Sequence, residues 1–113
     1  ALAQGGPVRI GILNDQAGAY SSISGPGSVA AARLAIEDAG GQVLGKPVEL
    51  VVADHSHKPD IGSSIARRWF DTEGVQAIFD IYSSGVALAV QKIADDKQRI
   101  AEGVVTVSQE LLP

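Results

Sequence analysis

"VRIGILNDQAGAYSSISGPGSVAAAR", residues Val8–Arg33, runs from a continuous apolar stretch through a long loop of small residues into an alanine-rich segment. The first part reads as a buried strand and the last as a helix. Between them, "GPGSVA" fits the G-x-G-x-x-G/A pattern of dinucleotide-binding turns. In such a turn the first glycine follows the strand at once, so that the free N–H groups of the helix meet the pyrophosphate. Here residues 15–24 separate the strand from Gly25, and Pro26 removes one backbone donor. Asp54, at the end of the second strand, stands at a plausible distance for a ribose contact and is the best point in favour. The long loop nevertheless fills the space a pyrophosphate needs. The glycines are expected instead to let the helix start close to its neighbours.

Three more apolar runs follow outward from this unit: "VELVVA" (Val48–Ala53), "VQAIFDIY" (Val75–Tyr82) and "VVTV" (Val104–Val107). All are too continuous for a sheet with one wet face, so both faces are covered. Three helical patterns separate the runs. The first spans Gly27–Ala39, with an inward stripe of Val29, Ala32, Ile36 and Ala39 that stops at Gly40-Gly41. The second starts at Pro59, with Asp60 beside its positive end and a stripe of Ile61, Ile65 and Trp69. On its solvated face Arg67 is expected to pair with Asp71. The third begins after Ser83-Ser84-Gly85 and carries Val86, Val90 and Ile93 inward, with Lys97 and Arg99 near its negative end. Strand–helix alternation of this kind predicts an α/β fold: a doubly wound, flavodoxin-like open parallel sheet of strand order 2-1-3-4 with helices on both faces. Ligands of such sheets bind at the carboxyl ends of strands one and three, where the chain reverses direction. The Asn14–Gly25 loop and the Tyr82–Gly85 turn border that crevice.

Composition narrows the classes further. The 113 residues hold 45% hydrophobic and 19% charged residues, the balance of one globular domain. A formal charge of −4 without a basic stretch argues against a nucleic-acid partner. No cysteine is present, which removes disulfides and thiolate chemistry. No apolar run approaches the roughly 18 residues of a membrane-spanning helix. "ALAQ" at the start matches the A-x-A pattern read by signal peptidase, or is an arbitrary leader. Residues 1–7 are accordingly read as a tail and 8–113 as a single α/β lobe.

Candidate chemistry is sparse. His55 and His57 in "ADHSHKPD" would share a face if extended, but no third ligand stands at convincing spacing, so a solvated loop is expected and no metal. A phosphoacceptor domain would place an aspartate where Tyr82-Ser83 stands, and serine-hydrolase chemistry lacks its G-x-S-x-G turn. Neither catalysis nor a cofactor is expected. Ser83 and Ser84 are N-cap residues first, satisfying free amides of the third helix. Two serines and Gly85 exceed the need of one cap, and a spare hydroxyl beside open N–H groups receives a carboxylate. Tyr20 would face them across the crevice with a ring wall and one hydroxyl.

These residues resemble a known family. "GILNDQAGAY" with its long loop, "AARLAIEDAGG" followed by "GKPVELVVAD", and "SSGVALAV" after the third strand are similar to the first lobe of extracytoplasmic solute-binding proteins of ABC importers, the branched-chain amino-acid type. The resemblance runs from Val8 to Ile100. It implies a periplasmic, non-catalytic protein of two hinged lobes that close on an amino acid or related small carboxylate, aromatic acids included, and deliver it to the importer's membrane subunits. It implies ligand contacts from Tyr20, Ser83 and Ser84, with the backbone amide of Gly85. Family members are much longer, so the chain is read as a truncated first lobe. Where members carry a Ser/Gly/Ala/Thr contact loop after the fourth strand, this chain has "QELLP", which leaves Ser108 as a weaker candidate. Exposed sheet edges would favour a homo-oligomer, by edge pairing or exchange of elements. The alternative function is a scaffold of the same fold that binds no solute.

Overall fold

The computed structural model describes residues 6–19 and 21–101. Its elements follow in the order β1 (Val8–Asn14), α1 (Gly25–Asp38), β2 (Gln42–Val43), β3 (Lys46–Asp54), α2 (Pro59–Thr72), β4 (Val75–Phe79), α3 (Ser84–Asp96) and β5 (Ile100–Ala101). The sheet order is β2-β3-β1-β4-β5. β1 pairs in parallel with β3 on one side and β4 on the other, and β4 pairs in parallel with β5. Those four strands have the expected 2-1-3-4 arrangement.

β2 is an addition that apolar periodicity did not suggest. It returns antiparallel along the start of β3, with Gln42 opposite Pro47 and Val43 opposite Lys46. Gly41 and Gly45 hold left-handed backbone at its two ends, which a side chain rarely tolerates. Other boundaries move for identifiable reasons. β4 ends at Phe79 rather than Tyr82, because Asp80 turns to φ +62 and breaks the extended run. The chain rejoins the sheet at Ile100, directly after the turn that ends α3, where Arg99 N–H donates to Ala94 O at 2.8 Å. The expected strand Val104–Val107 lies outside the described residues.

Right-handed crossovers place α1 on one face of the sheet and α2 and α3 on the other, because the chain steps one way from β1 and the opposite way from β3. The second face holds the core: Leu13 and Ile78 from the strands, Trp69, Phe70 and Ala66 from α2, and Val86, Val90 and Ile93 from α3. The third helix buries the expected residues. The second rotates slightly, burying Gly62, Ala66, Trp69 and Phe70 and leaving Ile61 and Ile65 half-buried. α1 buries less: Val29, Ala32 and Ile36 are half-covered and Ala39 is exposed. The expected Arg67–Asp71 pair is not made. Lys97, just past α3, takes Asp71 at 2.7 Å, and Arg68 reaches Glu73 at 2.9 Å. The packing of α3 beside α2 brings in a competitor from outside the helix.

Gly11, in the middle of the central strand, is required by packing. A Cβ there would lie 2.4 Å from Cζ3 of the Trp69 ring, which is itself buried. A ring locked in the core cannot give way cheaply. Gly11→Ala is expected to lower the unfolding free energy by about 1–3 kcal/mol. Urea denaturation checks this, and Trp69→Phe in the same chain should recover part of the loss.

Candidate functional site

Three segments leave the carboxyl ends of β1, β3 and β4 side by side: residues 15–24, 55–58 and 80–83. Their junction is organised by two buried polar residues at the end of β1. Asn14 Nδ2 donates to Asp80 Oδ2 at 2.9 Å and to Gly25 O at 3.3 Å, so one amide ties the end of β4 to the start of α1. Its Oδ1 accepts from Gln16 Nε2. Asp15 accepts from the Gly18 N–H at 2.7 Å and from His57 Nε2 at 2.9 Å. A carboxylate buried to this degree needs such donors, since burying an unpaired charge is costly.

Of the glycine string, Gly25 has the expected packing role, whereas a Cβ at Gly27 would meet nothing within 4 Å. Gly25 adopts φ +48, and a Cβ on it would stand 2.8 Å from Asp15 O. The loop folds back against the helix start, with Asp15, Gln16 and Ser21 closest to Gly25. Ser24 is the N-cap of α1, but its hydroxyl makes no capping bond and is buried without a partner among the described residues.

Ser83 is the N-cap of α3 in extended backbone, yet its side chain makes no capping hydrogen bond. Its carbonyl accepts the Ala87 N–H at 2.8 Å, the first bond of the helix. Its hydroxyl is therefore not spent on the helix. Ser84 opens the first turn of α3, half-buried, and Gly85 follows it exposed. At Gly85 an added Cβ would meet only Pro59 Cγ at 3.6 Å, an ordinary contact. The first-turn amides have no acceptor within the helix. Ser83, Ser84 and Gly85 thus share one turn at the crevice. Tyr20 and Ser108 lie outside the described residues.

The histidine segment corrects the expectation of a solvated loop. His55 is fully buried and His57 half-buried. His55 N–H continues the strand ladder to Asn14 O at 3.0 Å, which carries the ring inward, and the next turn brings His57 back over the sheet end to Asp15. Ser56 and His57 both hold left-handed backbone, at φ +53 and +56. Two contacts secure that turn: Ser56 N–H to Asp54 Oδ1 at 2.8 Å and His57 N–H to His55 Nδ1 at 3.0 Å. Because Nδ1 of His55 accepts, its proton sits on Nε2, which is buried without a partner among the described residues. Among the described residues no three His, Asp or Glu side chains are placed to hold a metal ion. Sequence periodicity could not show the Asp15–His57 pair. The one available signal was an aspartate directly after a buried strand.

A model match to the periplasmic binding protein family spans residues 7–111. The chain belongs to that family. No curated protein matches it. Among solved structures, a periplasmic binding protein of Burkholderia mallei superposes with a TM-score of 0.90 at 36% identity, covering 95% of this chain and 28% of the other. A branched-chain amino-acid ABC transporter periplasmic ligand-binding protein of Burkholderia xenovorans is 52% identical over 83% of this chain and 25% of its own, with a TM-score of 0.81. A leucine-binding protein of Thermotoga maritima gives 0.80 at 26% identity, with 92% and 29% covered. The chain therefore spans little more than a quarter of the length of these relatives, and its doubly wound sheet is the family's fold. The family is one of binding proteins.

Burial holds the pKa of His55 below the usual 6.5, and the neighbouring His57 adds to that, against the opposing pull of Asp54, Asp15 and Asp80. A histidine neutral in the fold but free to protonate when unfolded adds stability above its unfolded pKa of 6.5, and that stability is lost as pH falls below it. His55→Gln should flatten this part of the pH dependence. Denaturant midpoints measured between about pH 7.5 and 5.5 should fall more steeply for the natural chain than for the variant.

Proposed function

We propose that the chain is the first lobe of an extracytoplasmic solute-binding protein of an ABC importer, and that it contacts an amino acid or related small carboxylate without catalysing a reaction. The observation that carries this is the Ser83–Gly85 turn at the switch point, where the Ser83 hydroxyl is not spent on capping and the exposed Gly85 follows in the first turn of α3. A carboxylate there would accept from Ser83, Ser84 and the Gly85 amide, favoured by the positive end of α3. Tyr20 would supply a wall from the β1–α1 loop, and Ser108 is the further candidate from the residues after the last strand. The relatives support the amino-acid class: one is the ligand-binding protein of a branched-chain amino-acid transporter and another a leucine-binding protein. Aromatic carboxylates belong in the same test because the turn recognises the carboxylate and leaves the rest of the ligand to other walls. The periplasm is the compartment this role implies, and the importer's membrane subunits are the partners.

Affinity follows from the donors available. Hydrogen bonds to a charged group contribute about 1.5–3 kcal/mol each. Two or three of them, set against the freedom lost on association, leave little more than the roughly 4 kcal/mol of a millimolar complex. A full pocket encloses about 70–90% of its ligand, and one lobe supplies a single wall of it. The lone chain should therefore bind no tighter than about millimolar. Amide chemical shifts followed during titration with leucine, isoleucine, phenylalanine, benzoate and hydroxybenzoate, up to about 50 mM, should move at residues 83–86 for at least one compound. Ser83→Ala with Ser84→Ala should abolish those shifts. A folded chain whose spectrum ignores every compound would overturn the proposal, as would shifts clustered at the opposite end of the sheet.

A further inference from the structure

We propose that His57 is a positioning residue, which holds the β1–α1 loop over the cleft by gripping the buried carboxylate of Asp15. The inference rests on the binding role proposed above for that loop. Asp15 is 1% exposed, and its two oxygens take donors from different segments. Oδ1 takes the Gly18 N–H at 2.7 Å, from the same loop. Oδ2 takes His57 Nε2 at 2.9 Å, from a turn 42 positions away in the chain. The carboxylate is therefore a bridge: what fixes Oδ2 also fixes the loop hung on Oδ1.

The loop is built around that bridge. Gly18 approaches so closely that a Cβ there would stand 2.7 Å from Asp15 Oδ1, so residue 18 must be glycine for the amide to reach. Gly18 O then accepts both the backbone N–H and the hydroxyl of Ser21, at 3.2 and 2.9 Å. A short chain of contacts thus passes from His57 through Asp15 and Gly18 to Ser21, on the far side of position 20.

The other end of the grip is anchored in the core. His55 is fully buried, and its backbone is bonded to Asn14 O. Its Nδ1 holds the His57 N–H, and the two rings meet edge to face with centroids 5.2 Å apart. These contacts keep His57 in left-handed backbone, a conformation that costs energy in a residue with a Cβ and persists only where the surroundings impose it. An ionised carboxylate only accepts, so the His57 nitrogen facing it carries a proton. The strained turn after β3 is thereby spent on aiming one N–H at one carboxylate.

The test uses the natural chain, His57→Leu and His57→Gln, with one readout that needs no ligand. Hydrogen exchange of the Gly18 amide should quicken about tenfold or more in His57→Leu, the effect of losing a charged hydrogen bond. His57→Gln keeps a side-chain N–H donor and should restore protection to within about threefold. In the natural chain, nitrogen NMR of the His57 ring should show a proton on Nε2. For any compound that binds in the titration above, affinity should follow the same order, weaker by about tenfold in His57→Leu and recovered in His57→Gln. Unchanged Gly18 exchange in a folded His57→Leu chain overturns the proposal. So does a Gln variant no better than Leu, or an unprotonated Nε2 in the natural chain if neither variant folds. Exchange that changes while affinity does not would leave a purely structural pair and also overturn it. If nothing binds the natural chain, the solute role fails and the positioning claim fails with it, while the exchange and NMR results still decide the grip itself.

Discussion

β1 lies between β3 and β4, so the segments that leave the carboxyl end of the sheet are organised around its last residue and the one that follows it. Asn14 and Asp15 are both buried polar groups, and buried polar groups need partners. Asn14 finds them in Asp80 and Gly25, the end of β4 and the start of α1. Asp15 finds them in Gly18 and His57, the tip of its own loop and the turn after β3. Two consecutive residues thereby fix three loops. The crevice is shaped around these bonds, because leaving either side chain unpaired in the interior would be costly.

Close approach is the second recurring device. Gly11 admits the Trp69 ring against the central strand, and Gly62 lets α2 settle onto Val86 of α3, where a Cβ would be 2.5 Å from Cγ1. Both contacts lie on the face that carries the core. The other face carries α1 alone, half-covered on its inward stripe. The two sides of the sheet therefore contribute unequally: one supplies rigidity, and the other supplies the helix to which the candidate ligand loop connects.

At the cleft the chemistry divides by element. The α3 turn presents hydroxyls and amides suited to an anion. The ends of β1, β3 and β4 place Asp15, Asp54 and Asp80 nearby, two of them engaged by donors of neighbouring segments and Asp54 by Ser56 of its own turn. These carboxylates hold loops in place. With these carboxylates bonded within the scaffold, the proposed binding role falls to the neutral groups of the Ser83–Gly85 turn.

The sequence by itself determined the layered α/β plan, because continuous Val/Ile runs, helical stripes and Gly or Pro stops are local patterns that repeat in neighbouring residues. It also placed Ser83, Ser84 and Gly85 directly after a strand and at the start of a helix, and the observed strand order sets that turn at the switch point. It marked the 15–24 loop as too long for a nucleotide turn. Only the tertiary structure decided the rotation of α2, the partner of Asp71, the short β2 and the fate of "ADHSHKPD". Each of these depends on which of several competing partners lies nearer in space. His57 reads as one more polar loop residue until the fold carries it to Asp15. A periodicity records which face a residue occupies, whereas a buried hydrogen bond depends on where two distant stretches of chain meet.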